Sequence, residues 1–375
     1  FHCIKFWNKL MIVIDIGGIK GKRGISSYLE SLMTGLAHQN IDNAYHQKII
    51  LLAPIGLCLN VSNYAVLSNV EFVFRPYVNQ IIWESFLVPL YAKLLGASLI
   101  HFTGNTGGVF FPKIFNIPFV VTIHDVSFLK APNVVPKPQL LRQKIGRFYR
   151  RYNTPKMASN ASKIITVSEF AKRDIILELG CDEDCVEVIY NSLRDEFFSK
   201  IVSVKREKII LFVTGEGGQK NLDPTLEFLS NNREKFPGWS IMVVGVVGRV
   251  STEFVQYIGR VEPTELVDYY DRASIFLMPS LYESFSIPII EALSRRVVVL
   301  ASDRGAVKEV LKEHGWIYDP TSCSDLVQKL EKIIRTIEYE LAVNCDSQKY
   351  ANEFQPRHLL NKTLAVYTKV IHSNG

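Results

Sequence analysis

The stretch ASIFLMPSLYESFSIPIIEAL, residues 273–293, joins an apolar run to a loop and then to a second apolar run. The first run predicts a strand buried on both faces. Pro288 favours the first turn of a helix, with Ser286 or Ile287 as its N-cap. The stretch therefore predicts a strand, a short loop and a helix, which is half of a strand–helix–strand unit.

Two carboxylates stand on this predicted turn. Glu283 lies in the loop, and Glu291 lies at the end of the first helical turn. An acidic side chain near a helix N-terminus complements the helix dipole, so its position alone does not require a ligand. Other motifs in the sequence are needed to tell whether these glutamates stabilise the helix or bind a ligand.

The same alternation of strand and helix runs through the whole chain. It restarts after SVKREK, residues 203–208. The alternation predicts parallel sheets covered by helices on both faces, and the restart predicts two such domains. Ligands of such domains bind outside the carboxyl ends of the strands. Further strand-like runs lie at residues 11–17, 48–54, 98–104, 118–125, 163–168, 186–191, 208–215, 239–245, 253–261 and 297–302.

The composition is that of a globular protein with enough material for two cores: 375 residues, 47% of them hydrophobic and 21% charged. No run reaches the roughly 18–20 apolar residues that span a bilayer. The longest apolar run, residues 81–100, is interrupted by Glu84, Pro89 and Lys93 and predicts a helix followed by a strand. Residues 1–10 lack the features of a secretory signal, so we expect the fold to start at Met11.

The six cysteines predict no metal site. Only Cys181 and Cys185 are close in sequence, and zinc sites usually show two such pairs or histidine partners. Free thiols in a reducing compartment, the cytoplasm, are the interpretation that we prefer.

The positive charge is concentrated in the first half of the chain. Residues 1–190 hold 20 Lys+Arg against 13 Asp+Glu, and the segment 137–156 holds seven basic residues and no acid. Apolar residues recur in that segment at helical spacing. A basic amphipathic helix suits an anionic membrane surface or substrate, but a solvated basic face is an equally good interpretation. Nucleic-acid binding is not predicted, because no recognised module accompanies the basic segment.

Glycines and polar side chains follow several strands. In GGIKGKRGISSY, residues 17–28, Gly17 and Gly18 would let backbone amides approach an anion, although a tight turn without a ligand looks the same. A dinucleotide oxidoreductase is a poor alternative, because no acid follows about 20 residues on at a second strand end. His124 in TIHDVSFL can donate to a sugar hydroxyl or serve the structure alone.

Lys220 in TGEGGQKNLDP follows a glycine-rich turn and precedes a predicted helix, with Asn221 or Asp223 as its cap. A lysine beside helix N-terminal amides suits a diphosphate group. The alternative is an ordinary surface lysine.

Taken in order, these motifs resemble the GT-B glycosyltransferases of family 4, a large family of retaining enzymes that use nucleotide sugars. The resemblance covers about residues 11–372. The motifs that carry it are GISSY (24–28), TIHD (122–125), ITVSEFAKRDI (165–175), VIYNS (188–192), GQKN (218–221) and ESFSIPIIE (283–291).

The resemblance implies an α/β GT-B fold, with two Rossmann-like doubly wound domains facing across a cleft. The expected limits are 11–198 for the acceptor-side domain and 199–355 for the nucleotide-sugar domain. A helix within 356–375 is expected to pack back on the N-terminal domain.

The resemblance also implies a donor site. Glu283 would contact the donor sugar, Glu291 the ribose, and Lys220 the diphosphate, while His124 would approach the sugar from the other domain. The implied catalytic residues are His124, Lys220 and Glu283. The implied donor-binding residues are Gly17, Gly18, Lys220, Glu283, Phe285, Ser286, Ile287 and Glu291.

The chain departs from the family pattern at three places. Serines, Ser284 and Ser286, replace two glycines of the glutamate signature. The arginine that usually precedes the lysine is missing, so that Arg249 or Arg260 would have to substitute for it. Ser294-Arg295-Arg296-Val297 replaces the usual small residue, glycine and proline after the second glutamate.

From the resemblance we expect hexose transfer from a nucleotide diphosphate sugar to a glycan or lipid-linked oligosaccharide in bacterial surface-polysaccharide synthesis. We expect no cofactor and no divalent metal. The departures leave a second hypothesis, an inactive GT-B protein that serves as a scaffold in a polysaccharide assembly. The segment 137–156 is expected to contact the inner face of a membrane if the protein works there.

Overall fold

The structure is a computed structural model that describes residues 10–18, 24–39, 47–57, 69–109, 114–132, 134–136, 141–201, 206–338 and 345–373. Its first sheet is seven-stranded and parallel, with the strand order β3-β2-β1-β4-β5-β6-β7. The strands are β1 Met11–Asp15, β2 Lys48–Pro54, β3 Val70–Arg75, β4 Leu99–Phe102, β5 Phe119–Thr122, β6 Lys163–Thr166 and β7 Val186–Val188.

The second sheet is six-stranded and parallel, with the strand order β10-β9-β8-β11-β12-β13. In both sheets the order reverses beside the first strand, as in a Rossmann fold, and ligands of such folds bind at that switch point. The strands are β8 Glu207–Val213, β9 Ser240–Val244, β10 Val255–Gly259, β11 Ala273–Met278, β12 Val298–Ser302 and β13 Trp316–Tyr318.

Helices cover both sheets. A π-helical turn, Trp83–Leu87, joins α2 to α3. The helices are α1 Gly24–Gln39, α2 Gln80–Ile82, α3 Val88–Leu95, α4 Leu141–Asn160, α5 Glu169–Leu179, α6 Leu222–Asn231, α7 Pro263–Arg272, α8 Ile287–Ser294, α9 Val307–Leu311, α10 Cys323–Glu338, α11 Cys345–Ala351 and α12 Pro356–Ser373.

Helix α12 follows the second sheet in sequence but packs on α1 beside the first sheet. Leu360, Leu364 and Tyr367 are buried there in one core with Leu29 and Leu32. His101 on β4 lies within 2.5 Å of the Tyr367 hydroxyl, Nδ1 to Oη. The first domain therefore contains a helix from the far end of the described chain.

One core continues from the first domain into the second. Val167, Ala171, Leu193 and Phe197 pack in the same apolar cluster as Phe285. An apolar interface of this kind holds two domains more firmly than a polar one. The limits 11–198, 199–355 and 356–375 stay a prediction.

The predicted fold class, α/β with two doubly wound parallel sheets, is confirmed. The helix and strand predicted for residues 81–100 are present as α2, α3 and β4. Strands Val70–Arg75 and Trp316–Tyr318 were not predicted. Helix α8 begins at Ile287, so Glu291 is its fifth residue and lies just beyond the first turn, where we had expected it to end that turn.

Candidate active site

Lys220 and Glu283 meet at the switch point of the second sheet. Lys220 follows β8 in a short 3-10 segment, and Glu283 follows the adjacent strand β11. The Lys220 Nζ lies 2.5 Å from the Glu283 Oε1, and the Ser280 hydroxyl donates to the same oxygen at 3.2 Å. Both side chains are partly exposed, 29% for Lys220 and 13% for Glu283, so a ligand can reach this ion pair.

The loop after Glu283 turns into α8 through a strained residue. Ser286 is the N-cap, as predicted, with φ 73° and ψ 80° in the left-handed region. A serine there costs about 1–2 kcal/mol that a glycine would not. The Ser286 hydroxyl contacts the Met278 sulfur at 2.7 Å and does not cap the helix. The first amides of α8 are therefore not capped by the Ser286 side chain, and Pro288 occupies the first turn as predicted.

Asn221 is the N-cap of α6, one of the two residues that we had predicted there. It also has positive φ, 52°, and its side chain makes no capping hydrogen bond. Asp223 instead pairs with Arg249 at 3.2 Å on the surface. Arg249 is therefore already engaged in an exposed ion pair.

Glu291 is buried and both of its oxygens are engaged. Arg194 Nη2 donates to Oε1 at 3.1 Å, and the Tyr270 hydroxyl donates to Oε2 at 3.0 Å. Burial raises the pKa of Glu291, and the Arg194 guanidinium opposes that rise. Sequence reasoning missed Arg194, which lies 97 residues away in the segment between the two sheets. A carboxylate has about four lone-pair sites, so two remain for other donors.

The unusual arginines after α8 have structural partners. Arg295 is 1% exposed and makes two hydrogen bonds to the carboxylate of Asp271, at 2.7 and 2.6 Å. Its remaining nitrogen donates to the Ser199 carbonyl at 2.7 Å. Arg296 adopts φ 58° and ends the helix in the way that a glycine commonly does. This departure from the family pattern is thus accommodated by the fold.

In the first domain, the loop after β1 is shaped by a buried tryptophan. The Trp83 Nε1 and the Gly17 amide both donate to Asp15 Oδ1, at 2.8 and 2.9 Å. A Cβ on Gly17 would lie 2.6 Å from Trp83 Nε1, so that only glycine fits without a shift. Gly18 has slightly more room, with Ile25 Cγ2 at 3.0 Å. Burial raises the pKa of Asp15 to about 6.

A second buried acid lies beside this loop. Glu84, in the π-helical turn, is 2% exposed, and its Oε2 accepts from Gln80 at 2.9 Å. Burial raises the pKa of Glu84 to about 7, and the nearby Asp15 carboxylate adds to the rise. The sequence reading had treated Glu84 only as an interruption of an apolar run.

His124 follows β5 and is buried against the first sheet. Its Nε2 lies 2.9 Å from the Thr103 carbonyl, and its ring edge meets Tyr28. A carbonyl cannot donate, so Nε2 carries the proton and Nδ1 of the neutral ring is an acceptor. Burial lowers the pKa of His124, which favours that neutral form. Donation to a sugar hydroxyl was one of the two roles that the sequence left open for His124. With Nε2 on the Thr103 carbonyl, the neutral ring can only accept, through Nδ1.

The two halves of the site face each other. Tyr282, next to Glu283 in the second domain, lies close to Asp125 of the first. Burial raises the pKa of Tyr282, and the Asp125 carboxylate adds to the rise. Pro136 of the first domain lies against Gly218, in the turn that carries Lys220. The loops after β5, β8 and β11 therefore border one cleft.

Both halves of the chain match known family models. Residues 23–197 match "Glycosyltransferase Family 4", and residues 194–351 match "Glycosyl transferases group 1". The chain belongs to the GT-B glycosyltransferases of family 4. The resemblance seen in the sequence is thereby confirmed.

Curated relatives of this glycosyltransferase include two O-antigen enzymes. The O-antigen chain mannosyltransferase B of Escherichia coli is 22% identical over 271 residues, which are 66% of this chain and 69% of the relative. The O-antigen chain mannosyltransferase RfbU of Salmonella typhimurium is 24% identical over 57% of this chain and 61% of its own length.

Solved structures share the fold of this glycosyltransferase. A glycosyltransferase from Rickettsia africae superimposes with a TM-score of 0.70 and 17% identity, over 97% of this chain and 99% of the other. Anabaena HepE, solved in complex with UDP-glucose, superimposes with a TM-score of 0.68 and 14% identity, over 96% of this chain and 100% of the other. The GT-B prediction is confirmed.

Proposed function

We propose that this glycosyltransferase moves a hexose, with retention, from a nucleotide diphosphate sugar to a hydroxyl of a glycan or lipid-linked oligosaccharide. The reaction uses no divalent metal and serves the synthesis of a bacterial surface polysaccharide in the cytoplasm. Support for the pathway comes from the two O-antigen mannosyltransferases among the relatives. Support for the donor class comes from the UDP-glucose complex of the structural neighbour.

The Lys220–Glu283 pair is the observation that carries this proposal. A lysine has three donors, so Nζ can keep the carboxylate and still bind a phosphate oxygen. The Ile287 amide opens α8 further along the same loop, and a helix N-terminus favours an anion. Pro288 has no amide hydrogen, and the Ile289 amide already donates to the Ser286 carbonyl at 3.2 Å. Together Lys220 and the Ile287 amide stabilise the negative charge that develops on the leaving diphosphate.

The glutamates then orient the donor. Glu283, held by Lys220, accepts hydrogen bonds from sugar hydroxyls, and such charge-assisted bonds are stronger than neutral ones. Glu291 uses its remaining lone pairs for the ribose hydroxyls. His124 accepts a hydroxyl hydrogen bond at Nδ1 from the opposite side of the cleft. Cleft closure excludes water and limits hydrolysis of the donor.

A nucleotide panel followed by a transfer assay tests the proposal. UDP, GDP, ADP, dTDP and CMP are each added with and without EDTA, and the midpoint of thermal unfolding is measured. A ligand that binds only the native state raises the midpoint. We expect one nucleotide to do so, and EDTA to leave the shift unchanged.

Release of that nucleotide from its sugar conjugates is then measured for the wild type, Glu283→Gln and Lys220→Met. We expect both variants to lose about 100-fold or more in rate, because each removes a charge-assisted contact to the reacting groups. Lys235→Met, at an exposed lysine, is the matched control and keeps the wild-type rate. No midpoint shift and no release with any donor would refute the proposal and favour the inactive scaffold.

We also propose that the protein contacts the inner face of the membrane through α4. Leu141, Ile145, Phe148 and Tyr152 follow one another at spacings of three or four residues, and all are 55–74% exposed. They form one apolar stripe on the solvent side of the helix. Residues 137–140 of the basic segment, and the side chain of Arg142, lie outside the described residues.

Basic side chains border this stripe on both sides, which fits an anionic lipid surface. Lys144 and Arg151 lie along one edge, and Lys156 lies along the other, with its ammonium over the Tyr152 ring. The neighbouring helix continues the surface, since Ser85 touches Tyr149 at 3.2 Å and Phe86 beside it is 50% exposed. None of the described helices is apolar over a length sufficient to span a bilayer.

Co-sedimentation with vesicles tests the membrane contact. We expect binding to phosphatidylcholine vesicles that contain phosphatidylglycerol, and weaker binding at high salt. Phe148→Ser and Lys144→Glu should each weaken binding, the latter by about fivefold or more since one cation near the surface is worth about 1 kcal/mol. Leu177→Ser, at a leucine 79% exposed on α5, is the matched control. Equal binding of all four proteins would contradict the proposal.

A further inference from the structure

The motif ITVSEFAKRDI, residues 165–175, is not explained by the donor contacts above. It runs from the end of β6 into α5, in the first domain, yet it contacts the glutamate loop of the second. The Ser168 hydroxyl donates to the carbonyl of Ser284 at 2.5 Å. The same hydroxyl accepts from the Ala171 amide at 2.9 Å as the N-cap of α5. Ser168 is fully buried, while its partner Ser284 is half-buried.

Asp174, further along the motif, holds the residue on the other side of Glu283. The Tyr282 hydroxyl donates to Asp174 Oδ2 at 2.8 Å, and Lys130 donates to the other oxygen at 2.7 Å. The ring of Tyr282 meets Phe170 edge-on, with centroids 5.7 Å apart. Tyr282 and Asp174 are 7% and 9% exposed.

Glu283 itself is held through its backbone. The Ala306 amide donates to its carbonyl at 2.8 Å, and Gly305 leaves the room for this approach, since a Cβ there would overlap the same carbonyl. The nearby Glu309 carboxylate accepts from the Glu169 and Phe170 amides at 2.7 and 3.0 Å, which ties α9 to the start of α5.

We propose that Ser168 and Asp174 are positioning residues that hold the loop Tyr282–Ser284 from the opposite domain, and so aim the Glu283 carboxylate at the donor sugar. They contact no substrate themselves. The inference rests on the proposed role of Glu283. Loss of these contacts should loosen the loop around Glu283 and leave the rest of the second domain unchanged. Contacts that only stabilised the domain interface would loosen the whole second domain.

Hydrogen exchange tests the positioning without any activity. Tyr282→Phe removes one hydroxyl and keeps the ring, and Ser168→Ala removes the other. Opening of residues 280–286 should become about five- to tenfold more frequent in each, as expected for the loss of one net hydrogen bond. Ser168→Thr restores a hydroxyl and should restore protection. Tyr152→Phe, at an exposed tyrosine, controls for the loss of a phenol.

Kinetics then separate positioning from stability. For Tyr282→Phe we expect kcat to fall by about ten- to a hundredfold, because a small misplacement of a contact group costs that much. The affinity for the nucleoside diphosphate found in the panel should change little, since Glu283 is proposed to contact the sugar, which the free nucleotide lacks.

Unchanged hydrogen exchange in residues 280–286 would overturn the inference. A uniform rise in the exchange rate throughout the second domain would also overturn it, because that result indicates loss of the domain interface. A wild type that releases no nucleotide would refute the proposed function, while a local rise in exchange would still support the hold on Glu283.

Discussion

Glu84→Gln should flatten the pH dependence of stability. Glu84 is 2% exposed, and its pKa is raised from 4.5 to about 7 by burial. The unfolded chain therefore releases this proton first as the pH rises, and the folded protein loses stability between the two values. The free energy of unfolding changes by about 1.36 kcal/mol per pH unit for each proton released. The folded protein therefore loses about 3 kcal/mol of stability by pH 7 and above. A glutamine, which stays neutral, removes this loss.

Urea unfolding of both proteins at a series of pH values measures the effect. At about pH 4.5 the two should differ by less than about 0.5 kcal/mol, because Glu84 is then neutral in the folded protein and only half ionised in the unfolded chain. At about pH 8 Glu84→Gln should be more stable by as much as about 3 kcal/mol. Buried histidines make stability rise with pH, because burial lowers the pKa of His101 to about 3. Both proteins share them, so the difference between the proteins isolates Glu84.

Glu227→Gln is the matched control, since Glu227 is exposed on α6. Its stability should follow the wild type at every pH. If Glu84→Gln lost stability at pH 8, or gained it equally at pH 4.5, the acid would be ionised and well solvated in the folded protein. The argument from burial would then be wrong.

Three further predictions concern the site and its supports. Glu291→Gln should abolish the midpoint shift with the selected nucleotide and cost about 3–5 kcal/mol in urea unfolding, because it leaves Arg194 without its buried partner. Gly17→Ala should weaken the Trp83–Asp15 bond and cost about 1–3 kcal/mol, with a change in tryptophan fluorescence as the readout. Arg295→Met should lower the free energy of unfolding by about 3–5 kcal/mol, because it leaves the Asp271 carboxylate unpaired. Transfer by the folded protein should persist, as kinetics at low temperature would show.

Most of the strands could be predicted because a parallel sheet covered on both faces selects continuous apolar runs. Ala273–Met278 is buried at every position and reads plainly as a strand. Val70–Arg75 is an edge strand with polar and partly exposed positions, so it lacks such a run. Trp316–Tyr318 is too short to give a periodic pattern.

The donor loop was predictable because its residues are close together in sequence. Glu283 and Glu291 lie within nine residues, and Lys220 follows an adjacent strand end. Arg194 was not predictable, because it reaches Glu291 only after the two domains have packed. Asp15 and Glu84 were overlooked for a related reason. Nothing local distinguishes a buried carboxylate from an exposed one, and it is Trp83, 68 residues from Asp15, that completes their surroundings.

The placement of helix α12 has a consequence for synthesis on the ribosome. The core of the first domain includes Leu360, Leu364 and Tyr367, which are made after the whole second sheet. At about 5–20 residues per second, roughly 10–35 s pass between residue 198 and the end of α12. During that time the side of α1 that packs on α12 has no native cover, so the nascent first domain is a substrate for chaperones until α12 has been made.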